Sequence, residues 1–317
     1  MSAPAPGAFA QRVPVAPPAA YAGAMTHGTA APDHEPVAPD TRQGAETSDG
    51  DELAIAIAQF APRADAAENL GEIERLARLA AGRGARLVVF PEYSMYFTPE
   101  LGQEMADAAE PLEGGFVRAL GALAGELGVH LVAGVLERIP GDEARFSNTL
   151  VALDDGGRLV ARYRKQHLYD AFGQRESDRV VAGALDEPEI FEVDGVSVGM
   201  QTCYDLRFPE VTRVIVDAGA DLVLVPAEWV RGPLKEHHWR TLALARAIEN
   251  TVYLAAADQT PPVAVGQSLV VDPMGVELAA LGEQPGIAVA WVSRERIAAV
   301  RRTNPALSLR RYGVVHR

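Results

Sequence analysis

The chain has 317 residues, 48% of them hydrophobic, with a formal net charge of −14. That apolar content supports a sizeable core, and the acidic balance argues against a protein that tracks phosphates or lies on an anionic membrane, so no nucleic-acid or membrane partner is expected. No apolar run approaches the length of a transmembrane helix, and one cysteine cannot form an intrachain disulfide, which together suit a cytoplasmic protein.

Residues 1–50 are rich in Ala, Pro and Gly, show no periodicity, and are expected to be a disordered tail. Pro14, Pro17 and Pro18 break the only stretch that resembles a signal-peptide core, and Met25 is an alternative start. From 51 to 317 no linker-like composition intervenes, so one domain is expected, with an extended tail from about 303. The apolar pattern predicts a strand over 53–59 and a helix over 66–81 carrying Leu70, Ile73, Leu76, Ala77 and Ala80 on one face. A strand over 87–90, a helix over 116–127 and strands over 131–136, 148–153 and 159–164 follow, the last two joined by the turn Asp154-Asp155-Gly156-Gly157. After a polar stretch over 170–178, a hairpin is predicted over 190–193 and 196–200 around Asp194-Gly195. Helix, strand, helix and strand then recur over 211–218, 222–226, 236–250 and 252–257. Strands over 267–271 and 287–292 and a final helix capped by Ser293 complete an α/β sandwich.

Three strand ends carry chemistry. Glu92 ends the run Leu87-Val88-Val89-Phe90-Pro91-Glu92, Lys165 follows the strand over 159–164, and Cys203 follows the strand over 196–200. A thiol at a strand-to-helix turn presents its sulfur beside a helix N-terminus, a setting that favours a thiolate nucleophile. A carboxylate supplies a base, and an ammonium supplies a cation for a developing oxyanion. Taken singly, a buried thiol, a solvated strand-end carboxylate and a surface lysine are the ordinary readings. Their joint occurrence points to an enzyme. His237-His238 lacks a third ligand at metal spacing, and Gly82-Arg83-Gly84 precedes a strand and reads as a helix C-cap, so neither a metal nor a cofactor is expected.

Phe90-Pro91-Glu92, Tyr163-Arg164-Lys165-Gln166-His167-Leu168 and Cys203-Tyr204-Asp205-Leu206-Arg207-Phe208-Pro209-Glu210 resemble, in order and spacing, the three signatures of the nitrilase (carbon–nitrogen hydrolase) superfamily over residues 53–302. The resemblance implies a four-layer αββα sandwich, a homodimer or higher homo-oligomer, and a catalytic Glu-Lys-Cys triad. By it, Glu92 is the general base, Lys165 the oxyanion cation and Cys203 the nucleophile that forms a thioester. Glu176 matches a second glutamate that orients the lysine, and the backbone N–H of Tyr204 joins Lys165 in holding the oxyanion. The segment from Lys165 to Ser177 is similar to the amidase branch that contains omega-amidases and deaminated glutathione amidases, which implies a small carboxylate-bearing amide as substrate. One departure stands out: Pro226-Ala227-Glu228-Trp229 replaces a small residue and Phe at the acyl pocket, which makes Glu228 and Trp229 candidate substrate-binding residues. Arg207 and His167 read as structural. The competing readings are a nitrilase or an N-carbamoyl amino acid hydrolase with the same triad, and a dimeric binding protein that has lost turnover.

Overall fold

A computed structural model describes residues 52–315, so the expected tail over 1–50 lies outside the described residues. Twelve strands form two six-stranded sheets. The first contains β1 (Glu52–Gln59), β2 (Leu87–Val89), β3 (His130–Arg138), β4 (Phe146–Leu153), β5 (Leu159–Arg164) and β12 (Gly286–Ser293), in the order β12-β1-β2-β3-β4-β5. The second contains β6 (Phe191–Val193), β7 (Val196–Met200), β8 (Leu222–Ala227), β9 (Tyr253–Asp258), β10 (Leu269–Val271) and β11 (Glu277–Ala280), in the order β11-β10-β9-β8-β7-β6.

Strand β1 shows why the sheets stack. Side chains alternate across a strand, and here Leu53, Ile55 and Ile57 join the core shared with the second sheet, while Ala56 and Ala58 join a different core. That second core contains Ile73, Leu76 and Ala77 of α1 (Ala66–Ala81) and Leu120 and Ala124 of α3 (Gly115–Leu127). A strand buried on both faces needs apolar residues in both registers, hence the near-continuous run from Leu53 to Ala58. On the far side, α4 (Pro209–Asp217) and α5 (Lys235–Asn250) pack on the second sheet through Ile215, Trp239, Ala243 and Ala247. The layers are therefore helix, sheet, sheet, helix, as the family resemblance implies.

The expected elements lie within a few residues of those found. Helix α1 begins where Asp65 Oδ1 accepts from the N–H groups of Ala67 and Glu68, at 2.9 and 3.0 Å. Helix α6 (Arg294–Thr303) starts at Ser293, whose Oγ accepts from Arg296 N. Two elements lacked a signal: α2 (Gln103–Ala108) is under two turns long, and β11 is an edge strand with neither β-branched residues nor polar alternation.

Candidate active site

The three strand-end residues do not come from one sheet. Glu92 follows β2 and Lys165 follows β5, both in the first sheet but separated there by β3 and β4, whereas Cys203 follows β7 in the second. The site lies where the ends of the two sheets face each other. Glu92 is brought against β3 at Gly134, where an added Cβ would stand 2.5 Å from Tyr93 N and 2.7 Å from Glu92 Cα. Only glycine allows that approach.

Lys165 is buried, and its Nζ lies 2.9 Å from Glu92 Oε1 and 2.9 Å from Glu176 Oε1. Burial pushes this ammonium down, but the Glu176 and Glu92 carboxylates outweigh it and hold it well above its ordinary range. Asn148, in β4 between β3 and β5, uses its Nδ2 for both carboxylates, at 2.6 Å to Glu92 Oε1 and 3.3 Å to Glu176 Oε1. Tyr93 Oη donates to Glu176 Oε1 at 2.6 Å, and Tyr169 N donates to Glu176 Oε2 at 2.6 Å. Two carboxylates and one ammonium are thus locked together by neutral donors. The Nζ also lies 2.9 Å from Glu176 Oε2, so both oxygens of that carboxylate face the ammonium, and Lys165 lines the cavity.

Cys203 opens a 3-10 turn (Cys203–Arg207) at φ 44°, a left-handed conformation that is strained for a non-glycine residue. The α-helix does not begin until Pro209, after this 3-10 turn. The thiol is buried and donates to Glu228 O at 3.4 Å; burial, with the Glu92 carboxylate beside it, pushes it well above its ordinary range, although Lys165 pulls it down. The peptide of Glu228 links the two partners, because its N–H donates to Glu92 Oε2 at 2.6 Å while its carbonyl receives the thiol.

The nucleophile turn is tied to the lysine segment by Asp205, a fully buried residue. Its Oδ1 accepts from His167 N at 2.9 Å and lies 2.8 Å from His167 Nδ1; its Oδ2 accepts from Tyr163 Oη at 2.8 Å and from Thr202 N at 3.2 Å. His167 stacks on Phe208, with ring centroids 3.8 Å apart. Replacing Asp205 with Ala strands several buried donors at roughly 1–3 kcal/mol each. The variant is expected to unfold at lower denaturant and to lose more in kcat than in KM, as denaturation curves and steady-state kinetics would show.

A cavity of about 150 Å³ opens on Lys165, Glu176 and Cys203 and is lined by Tyr169, Tyr204, Arg207, Glu228, Trp229 and Lys235. Trp229 is buried and pinned, its N donating to Asp258 Oδ1 at 2.7 Å and its Nε1 to Lys235 O at 2.9 Å. Tyr204 forms wall against Tyr169 and Phe208; as the second residue of a helical turn, its N–H has no partner within that turn. Arg207 packs on aromatic rings beside the cavity. Its guanidinium lies over Trp229, 4.7 Å from the centroid, and lines the cavity with no carboxylate partner among the described residues. Lys235 also lines the cavity without a carboxylate among the described residues, donating to Tyr169 Oη at 2.7 Å and lying 4.2 Å from the Phe172 centroid. Burial pushes its ammonium down, and Arg207 adds to the effect. Asn148, Tyr93, Asp205, Asp258 and Lys235 were not singled out from the sequence. Asn148 stands between Ser147 and Thr149, so nothing local marks it as a site residue.

The chain matches the carbon-nitrogen hydrolase family profile over residues 54–302. It is 41% identical over 261 residues to a deaminated glutathione amidase of Escherichia coli O157:H7, covering 82% of this chain and 98% of the relative. Among solved structures it is similar to the C. elegans NitFhit protein, with TM-score 0.76 and 28% identity over 82% of this chain, of which it spans 65%. An amidase from Nesterenkonia sp. AN1, solved in complex with acrylamide, superimposes with TM-score 0.69 at 28% identity, covering 82% of this chain and 94% of that one. With two facing sheets between helix layers and a cysteine, a lysine and two glutamates gathered at their ends, the chain belongs to the carbon–nitrogen hydrolase family.

Proposed function

We propose that this enzyme is a cysteine-dependent amidase that releases ammonia from a small carboxylate-bearing amide through a thioester, with Glu92, Lys165 and Cys203 as its triad. The observation that carries the reading is the buried Lys165 ammonium, clamped by Glu92 and Glu176 and lining the same cavity as Cys203. The amide carbonyl enters beside Sγ. Glu92 takes the thiol proton as the sulfur attacks the carbonyl carbon, since a raised thiol needs a base at the moment of attack. The oxyanion is received by Lys165 Nζ and the N–H of Tyr204, each worth roughly 3 kcal/mol of transition-state stabilisation. Glu92 passes its proton to the departing nitrogen, and ammonia leaves as the carbonyl reforms. Glu92 then deprotonates a water that attacks the thioester; the acid product departs and the thiol regains its proton. Glu176 keeps Lys165 in place.

The carboxylate on the substrate is supported by Arg207 and Lys235, two cations at the cavity without anionic partners among the described residues. Ammonia release from a panel of dicarboxylate monoamides, nitriles and N-carbamoyl amino acids tests the reading. Monoamides are expected to be turned over at least ~10-fold faster than uncharged nitriles, because two cations facing an uncharged substrate group forgo a charge-assisted bond worth about 1.5–3 kcal/mol. A preference for nitriles or carbamoyl compounds would replace it. The reading extends to a homodimer, for which the exposed Leu309, Tyr312 and Val315 of the C-terminal tail are suitable cover. It also places residues 51–317 in one catalytic domain preceded by a tail, and the enzyme in the cytoplasm, where a thiol nucleophile stays reduced. Among the described residues no helix is long and apolar enough to cross a membrane.

A further inference from the structure

Three carboxyl groups face Lys165, and they are not equivalent. Glu92 accepts from Asn148, Lys165 and Glu228 N, and Glu176 accepts from Tyr93, Asn148, Lys165 and Tyr169 N. The Glu228 carboxyl accepts from no group among the described residues, and its Oε1 is buried without a partner. Donors stabilise a carboxylate, so of the three groups this one is the place for a proton. The charged and titratable neighbours agree. Burial comes first, then Glu92 and Glu176 drive the Glu228 carboxyl well above its ordinary range, with Lys165 and Lys235 opposing them. Asp258 and Cys203 also feel Glu228, and both are themselves pushed up. A protonated carboxyl has an O–H to donate, yet no acceptor is arranged for it, while the residue lines the cavity and its own carbonyl holds the Cys203 thiol. The acceptor has to arrive with the substrate.

We propose that Glu228 is a specificity-determining residue, an uncharged hydrogen-bond donor to an oxygen on the substrate's acyl chain, working beside Arg207 and Lys235 to select amides that carry a carboxylate there. The inference rests on the amidase reading and deepens it. It also excludes an acyl chain with an ammonium at that position, which would need Glu228 ionised.

Succinamate, butyramide and glutamine, offered to the wild-type enzyme and to Glu228→Gln and Glu228→Ala, separate the possibilities. The alanine variant is expected to lose about 10–100-fold more kcat/KM on succinamate than on butyramide, the range of one hydrogen bond to a charged acceptor. The glutamine variant, which keeps a neutral donor, is expected to recover most of that difference. Equal losses on succinamate and butyramide would mean Glu228 only supports the fold. A loss in the glutamine variant as deep as in the alanine variant, with glutamine preferred by the wild type, would mean an anion that grips an ammonium. Either result overturns the proposal.

If no amide is turned over, the amidase reading fails on its own, and calorimetric binding of succinate against butyrate to the same three proteins still decides the role of Glu228. Unfolding adds a readout independent of ligand. A carboxyl held neutral in the fold but free to ionise when unfolded costs nothing below the ordinary carboxylate range, and destabilises increasingly as pH rises towards its folded value. The gain in Tm of Glu228→Gln over wild type should therefore be near zero at about pH 4 and clear at about pH 8. An equal shift at both would show that Glu228 is already ionised in the fold.

Discussion

A Cys203→Ala variant is expected to lose on the order of 10⁶-fold in kcat, the scale on which a covalent nucleophile acts with its base, while keeping its fold and its ability to bind a monoamide. Stopped assays for ammonia and calorimetric binding of succinamate would show the two effects side by side. The companion variant Glu92→Gln sharpens the point. Removing the carboxylate removes the base, so turnover should fall by roughly 10²–10⁴-fold. The same carboxylate is also one of the groups that hold the thiol up, so its loss should let Cys203 ionise more readily. Alkylation by a neutral reagent such as iodoacetamide should then have its midpoint at lower pH in Glu92→Gln than in the wild type. A variant that is catalytically silent yet has a more acidic thiol is the signature of a base acting at the moment of attack. Were the midpoint instead to rise, Glu92 would not be coupled to the sulfur, and the proposed proton route would be wrong.

Lys165→Met is expected to damage both activity and stability. The ammonium lies between two buried carboxylates at 2.9 Å from each, and breaking a buried charge cluster on one side costs about 3–5 kcal/mol because the remaining charges lose their partner. Chemical denaturation at a single neutral pH measures the loss directly. The double variant Lys165→Met with Glu176→Gln should regain part of the lost stability, since it removes one uncompensated charge, and none of the lost turnover. A Met variant as stable as wild type would show that the cluster is not held by charge.

Much of the fold was legible because strand and helix signals are local. The alternation and continuity of Leu53 to Ala58, the face of Ile73, Leu76 and Ala77, and the turn at Asp194-Gly195 involve residues within a few positions of one another. The same holds for the motif residues: Glu92, Lys165 and Cys203 each follow a recognisable strand, and Glu176 sits in the loop that such a lysine precedes. What composition and spacing along the chain could not carry was which strand ends meet. Lys165 and Glu92 are brought together across two intervening strands, and Cys203 joins them only because the second sheet stacks face to face on the first.

The state of each group was likewise decided in three dimensions. From its flanking residues Cys203 reads as a thiol in a setting that favours a thiolate; the folded chain buries it, places a 3-10 turn ahead of the α-helix at Pro209, and by that burial pushes the thiol above its ordinary range. Arg207 reads as structural, and the folded chain lays it over Trp229 at the cavity, without a carboxylate partner among the described residues. Local order along a chain dictates backbone periodicity and which residue types stand at which strand ends, since these depend on neighbours three or four positions away. Charge, protonation and partnership depend on distances between segments more than a hundred residues apart, as with Glu92 and Glu228, and those distances exist only once the two sheets have packed.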